Sequence, residues 1–249
     1  MKYRDCVLTL FALLVVISGG IWLVSAQGVV TVNNFADEPG TCPASCTLRA
    51  AIAAVNAGPE DTINFSGPGT IFVNSDGGLG ELPAITADGV TIDTGGNQVV
   101  LDGSQSPALE PLAYGLLVTS DNNTILGLHI QNFAGDGIVI DGGSGNQIGG
   151  TGAGEGNVIH LNGGNGIVLN AAGTQAAPNV IQANLIGTDA TGTSVEANGG
   201  AGILITNGSE FNQIGGSVST AANIISGNDG GGIVVDGSQD NVIEGNRIG

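Results

Sequence analysis

The chain has 249 residues, of which 45 are Gly, 4 are Lys or Arg and 22 are Asp or Glu, for a formal net charge of -18. So few cations exclude a nucleic-acid or phosphate surface, because such affinity rests on Lys and Arg neutralising phosphates. A hydrophobic share of 41% excludes a disordered charged chain, and Gly without a three-residue period beside only 8 Pro excludes collagen.

Lys2 and Arg4 precede an apolar run from Cys6 to Val24, and Val24-Ser25-Ala26 places small residues where a signal peptidase cuts. Residues 1–26 are therefore read as a secretory signal, with an uncleaved membrane anchor as the alternative, since the run is about long enough to span a bilayer. Without the leader, 22 acidic residues less Asp5 and 4 basic less Lys2 and Arg4 leave 21 against 2, a charge of -19. The exported part has no Lys, which excludes P-loop nucleotidases and Schiff-base enzymes. Secretion to the extracellular space or cell surface is the expected localisation.

Residues 27–60 form an N-terminal cap segment. Cys42 and Cys46, separated by Pro43-Ala44-Ser45, are an even pair in an exported chain and read as a short-loop disulfide. A zinc site would need further ligands, and neither His129 nor His160 is near in sequence. Leu48 to Ala57, rich in Ala and stopped by Gly58-Pro59, is the one predicted helix, placed over the open first turn of the solenoid expected over residues 61–249. Arg49 within it is expected to pair with a carboxylate or carbonyl.

Residues 61–249 repeat. Asn146-Gln147-Ile148-Gly149-Gly150 returns as Asn212-Gln213-Ile214-Gly215-Gly216, and Asn157-Val158-Ile159 with Gly166-Ile167-Val168-Leu169 returns as Asn223-Ile224-Ile225 with Gly232-Ile233-Val234-Val235. Each unit holds three short β-branched runs separated by Gly, Asn, Asp and Ser, too short for helices. Such units bury their inner faces only by stacking, which predicts an all-β, three-sided parallel β-helix of about seven turns at the ~4.8 Å strand spacing. Gly and Asn then occupy corners at positive φ. Asn123, Asn146, Asn157, Asn179, Asn212, Asn223 and Asn241, each two residues before an Ile, read as one hydrogen-bonded ladder.

Cys46-Thr47-Leu48-Arg49-Ala50-Ala51 is similar to the C-S-L-R-E-A signature at the N-terminus of secreted bacterial right-handed β-helix proteins, with Thr47 in place of Ser and Ala50 in place of Glu. The Asn-x-Ile and Gly-Ile turns, with Gly187-Thr188-Asp189-Ala190-Thr191-Gly192-Thr193, resemble that group's repeats over roughly residues 29–249. The resemblance implies a right-handed, pectate-lyase-like superfold. It implies little about activity, because that solenoid carries lyases, hydrolases and adhesins alike.

No residue is assigned a catalytic role and no metal or cofactor is expected; scattered carboxylates suit at most weak Ca2+ binding. The related lyases use a basic residue, and only Arg49 and Arg247 remain after export. A hydrolase needs two carboxylates about 5 to 9.5 Å apart. Asp141 and Asp236 share a column, but at about 14 Å over three turns they are too distant. Asp136 with Asp141 and Asp240 with Glu244 read as solvated corner residues. Asp93-Thr94-Gly95 suits a turn, and His129 and His160 read as ordinary strand residues without a His or Cys companion at metal spacing.

The middle residue of each Gly-led strand, Leu117, Val139, Val168, Leu204 and Val234, is predicted to face outward as an aliphatic stripe, either meeting a partner or covered by long segments such as Thr188 to Asn198. The whole reads as an exported structural, adhesive or ligand-binding rod for an extracellular or cell-surface polysaccharide or protein. The alternative is a polysaccharide lyase or glycoside hydrolase acting through surface carboxylates. Membrane contact is expected only through the leader or a missing C-terminal anchor. Asn246 to Gly249 matches Asn184 to Gly187, so the repeat is expected to break off within a turn, as in a fragment of a longer exoprotein.

Overall fold

The computed structural model describes residues 14–17, 20–23, 28–74, 78–107 and 111–249; of the leader expected over 1–26 it describes only Leu14–Ile17 and Gly20–Leu23, two short strands paired antiparallel, and the remainder lies outside the described residues. From Gly28 onward the strands form three all-parallel sheets of eight, seven and five members, each pairing a strand with its counterpart one turn away. One turn takes Asp136–Asp141 in the third sheet, Gln147–Ile148 in the first and Val158–His160 in the second, and the next repeats with Ile167–Asn170, Val180–Ile181 and Leu185–Ile186. This is the three-sided parallel β-helix expected from the repeat.

Register explains why Ile recurs. In the first sheet Ile63, Ile92, Ile125, Ile148, Ile181 and Ile214 are successive partners, and each is fully buried. The second sheet stacks Ile130, Ile159, Ile186 and Ile225 in the same way. A branched side chain that is stiff at χ1 packs well against its copy on a pleated surface. In the last described turn Ile243 is 42% exposed and Ile248 52%, on strands at the edge of their sheets among the described residues.

Gly at the strand starts has a different reason from the expected corner freedom. Gly115, Gly137, Gly166, Gly202 and Gly232 are absent from the residues with positive φ. What they provide is room. A Cβ on Gly166 would stand 2.6 Å from Ile186 Cγ2 and 2.6 Å from the Gly202 carbonyl oxygen, the same clash as at Gly137 against Ile159 Cγ2 and the Gly166 oxygen. The inward Ile of one sheet thus fills the space under the next sheet's first residue. Corners at positive φ are held, as expected, by other glycines such as Gly142, Gly149, Gly187 and Gly215, together with Asn122, Asn132, Asn207, Leu161, Ala171 and Ala183. Gly166→Ala should therefore lower stability by about 2–3 kcal/mol through overpacking against backbone. Gly67→Ala, whose Cβ would meet nothing within 4 Å, should change it by less than about 0.5 kcal/mol; urea unfolding of the two variants checks both values.

The helix spans Leu48–Ala57 and buries Leu48, Ala51, Ile52 and Val55 against the first two strands of the first sheet, Gly28–Val32 and Glu60–Phe65. Thr47 is its N-cap, with Oγ1 accepting from Ala50 N at 3.2 Å. The two departures from the C-S-L-R-E-A pattern now have physical meanings. Thr keeps the capping hydroxyl, whereas Ala50 removes the side chain that would close a capping box.

Candidate functional site

Arg49 sits on the helix with its guanidinium on Asp37, Nε to Oδ1 at 2.8 Å and Nη2 to Oδ2 at 2.8 Å. It also donates to the carbonyls of Leu79, Gly80 and Glu81 at 3.3, 2.9 and 2.6 Å. Asp37 is 7% exposed and accepts a further bond from Asn74 N. The charge is thus used to tie the cap to the first turns. Beside it, Cys42 and Cys46 have their sulfurs 1.99 Å apart.

The asparagines occupy three columns rather than one. Asn123, Asn146, Asn179, Asn212 and Asn241 stack at the corner entering the first sheet, where Asn123 N and Nδ2 both donate to Asn146 Oδ1 at 2.8 and 2.9 Å and Asn179 Nδ2 donates to Asn212 Oδ1 at 2.8 Å. Asn157 and Asn223 belong to a second column with Asn184 and Asn246, at the corner entering the second sheet. A third, Asn162, Asn198 and Asn228, lines the corner leaving it. In every link the earlier turn donates and the later accepts. Asn184 and Asn246 carry the same Asn-x-Ile signal as the seven ladder residues; the third column follows a separate Asn-Gly-Gly or Asn-Asp-Gly pattern. None of these asparagines has positive φ. Their work is to satisfy corner backbone groups that are cut off from water.

Leu117, Val139, Val168, Leu204 and Val234 are successive register partners across all five strands of the third sheet. Their flanking residues, such as Ile138, Ile140, Ile203 and Ile205, are fully buried, so the stripe lies on the outer side. Val168 is 7% exposed and the other four are half-buried. The segment 188–198 does not cover it. That segment folds over the second sheet, where Gly192 approaches Leu185 and Ile224 and Val195 approaches Gly227.

The outer face of the second sheet gathers residues that are far apart in sequence. His129 pairs with Val158, and Gln131 with His160, so the two imidazoles lie on adjacent strands offset by two positions, a proximity that their places in the sequence do not reveal. Asp102, Gln131 and His160 form one polar column. Burial pushes Asp102 up, but bonds from Ser104, Gln131 and Asn132 outweigh it and hold the carboxyl below its usual range. His160 Nδ1 lies 2.6 Å from Glu196 Oε2, a hydrogen bond when Nδ1 carries the proton. Burial depresses the His160 pKa, against the opposing charges of Glu196, Asp102 and Asp189. Burial and then His160 itself depress that of His129. Both rings are therefore neutral at pH 7. A depressed His takes up a proton more readily when unfolded, so its contribution to stability is present above about pH 6.5 and is lost as pH falls from there to the folded pKa. Glu196→Gln should move the His160 midpoint lower still, which an NMR titration of the ring reads directly.

Beside this column, His129, Val158 and Leu185 floor an open groove of about 690 Å3, walled by 96–98, by 150–154 and Gly156, by Ala190 and by Thr220. The wall 150–154 is pinned by the neighbouring Glu155, which is not among the lining residues, with Gly152 N to Glu155 Oε2 at 2.8 Å and Gly127 N to Glu155 O at 3.1 Å. The segment 188–195 is pinned by Asp189, whose carboxylate accepts from Thr193 N, Ser194 N and Thr191 Oγ1 and is held down to about 2.

Asp136 and Asp141 are too far apart to face one bond. Asp136 and Asp141 stand at opposite ends of one strand, about 16 Å apart at the strand rise. Asp136 Oδ1 accepts from Asn165 N and Nδ2, and Asp141 Oδ1 from Asn170 Nδ2. The column from Asp141 runs through Asn170 and Thr206, and Asp240 and Glu244 are exposed on the final turn. Asp93 Oδ1 accepts from Gly95 N at 2.7 Å in a local turn. Among the described residues no three His, Cys, Asp or Glu side chains converge to hold a metal ion, and no helix is long and apolar enough to cross a membrane.

Compared with known proteins, the chain matches no family model and no curated sequence.

Proposed function

We propose that this chain is an exported, non-catalytic β-helix rod that holds an extracellular polysaccharide or protein along its side. The observation that carries the reading is the stripe Leu117, Val139, Val168, Leu204 and Val234, aliphatic and in register over every strand of the third sheet. An outward apolar row continued over five strands is a contact surface rather than scattered exposure. The in-register face also matches how solenoids engage partners, through many equivalent positions spaced by one turn. Resemblance to secreted β-helix proteins supports export, and the acidic balance of 22 to 4 suits a soluble surface facing cationic or neutral partners.

A double variant, Val139→Lys and Leu204→Lys, tests the stripe. Its stability should stay within about 1 kcal/mol of the parent, because both positions are outward. Binding to extracellular polysaccharide and surface-protein preparations in a co-sedimentation assay should fall at least about tenfold, the loss of about 1.4 kcal/mol. Unchanged binding by a folded double variant would remove the stripe from the reading.

A further inference from the structure

We propose that the groove over His129, Val158 and Leu185 is a binding site for an uncharged, hydroxyl-rich ligand, a neutral oligosaccharide. It lies on the second sheet's outer face, away from the stripe, and neither reading rests on the other. Its volume, about 690 Å3, falls within the ~300–1,000 Å3 usual for small-molecule sites. The floor is apolar at Val158 and Leu185, while Asn97, Gln98, Thr151 and Thr220 supply uncharged amides and hydroxyls around it. That combination suits a molecule with a C–H face and a rim of hydroxyls.

Charge selects further. No carboxylate and no Lys or Arg lines the groove, in a chain of net charge -18. An anionic sugar would meet the repulsion of the whole molecule and find no cation to compensate. Neutral His129 adds a donor and an acceptor without charge. Six of the lining residues besides these are Gly, among them Gly96, which has open space where a Cβ would stand. Glycine there lets backbone N–H and C=O groups approach a ligand closely. Both walls are tied down, one by Glu155 and the other by Asp189, so little ordering is needed on binding.

The test uses the full chain and four probes, maltohexaose, cellohexaose, mannohexaose and hexagalacturonate, each titrated while the ring signals of His129 and His160, the only histidines, are followed by NMR. At least one neutral probe should shift the His129 signal saturably with a Kd below about 1 mM, and hexagalacturonate should bind at least about tenfold more weakly. Thr151→Trp and Ala190→Trp, both at exposed wall positions, should weaken the neutral probe at least about tenfold, while Val29→Lys, at an exposed position on the first sheet, leaves it unchanged. No saturable shift with any neutral probe, tighter binding of the uronate, or full affinity in both Trp variants would each overturn the proposal. Should a Trp variant fail to fold, the position of the shifted signals in the parent chain, around His129 or elsewhere, decides.

Discussion

Arg49→Met should cost about 3–5 kcal/mol, because it leaves a buried carboxylate without its counter-ion. Asp37 has a side chain only 1% exposed and takes both oxygens' partners from Arg49, retaining afterwards only the Asn74 amide. The same substitution frees the carbonyls of Leu79, Gly80 and Glu81. Breaking such a pair is far costlier than replacing it whole, so Arg49→Met with Asp37→Leu should recover much of the loss. Stability in a solenoid is shared only between neighbouring turns. Hydrogen exchange should therefore rise in the first turns and the helix Leu48–Ala57 while the turns after Ile159 keep their protection; a uniform rise would show that the cap controls the whole stack.

Asn184→Leu should cost about 3–4 kcal/mol, counting an orphaned buried N–H and several lost bonds at ~1 kcal/mol each. Fully buried, Asn184 accepts from Asn157 N and Nδ2 at 3.0 Å each and donates through Nδ2 to Ile148 O and Asn223 Oδ1. Leu leaves Asn157 N without an acceptor. Asn184→Asp separates the roles. An ionised carboxylate still accepts from Asn157 but faces the oxygens of Ile148 and Asn223, so it should be damaging at pH 7 and milder in acid, where a proton restores one donor. Asn241→Leu, in the final turn where Asn241 is half-buried and water can substitute, should cost only about 1 kcal/mol. Equal losses at Asn184 and Asn241 in urea unfolding would deny the ladder a structural role.

The parts of this molecule that are legible in the sequence are those set by local repetition. The Gly-led strands, the Asn-x-Ile corners and the helix ending at Gly58 each announce themselves within about ten residues, and stacking results because such short strands have no other way to bury Ile. Column membership is not legible in the same way. Asn146 and Asn157 both precede an Ile, yet they stand at different corners, because the loop between them carries the chain from the first sheet to the second. Loops of unequal length blur the period that would have sorted them. For the same reason His129 and His160, ordinary strand residues one by one, become neighbours only once register is known. Gly at the strand starts is visible as a pattern, but its cause is not corner freedom, since a missing Cβ against Ile186 is a contact between sheets that no local conformation reveals.

The central claim is that this β-helix binds without catalysing. Purified chain incubated with a panel of neutral and uronate-containing polysaccharides, with calcium, gives the most direct test. No release of reducing or unsaturated ends is expected from any of them. Release that survives purification and is abolished by carboxylate substitutions, at Asp136, Asp141 or Asp236 among others, would contradict it.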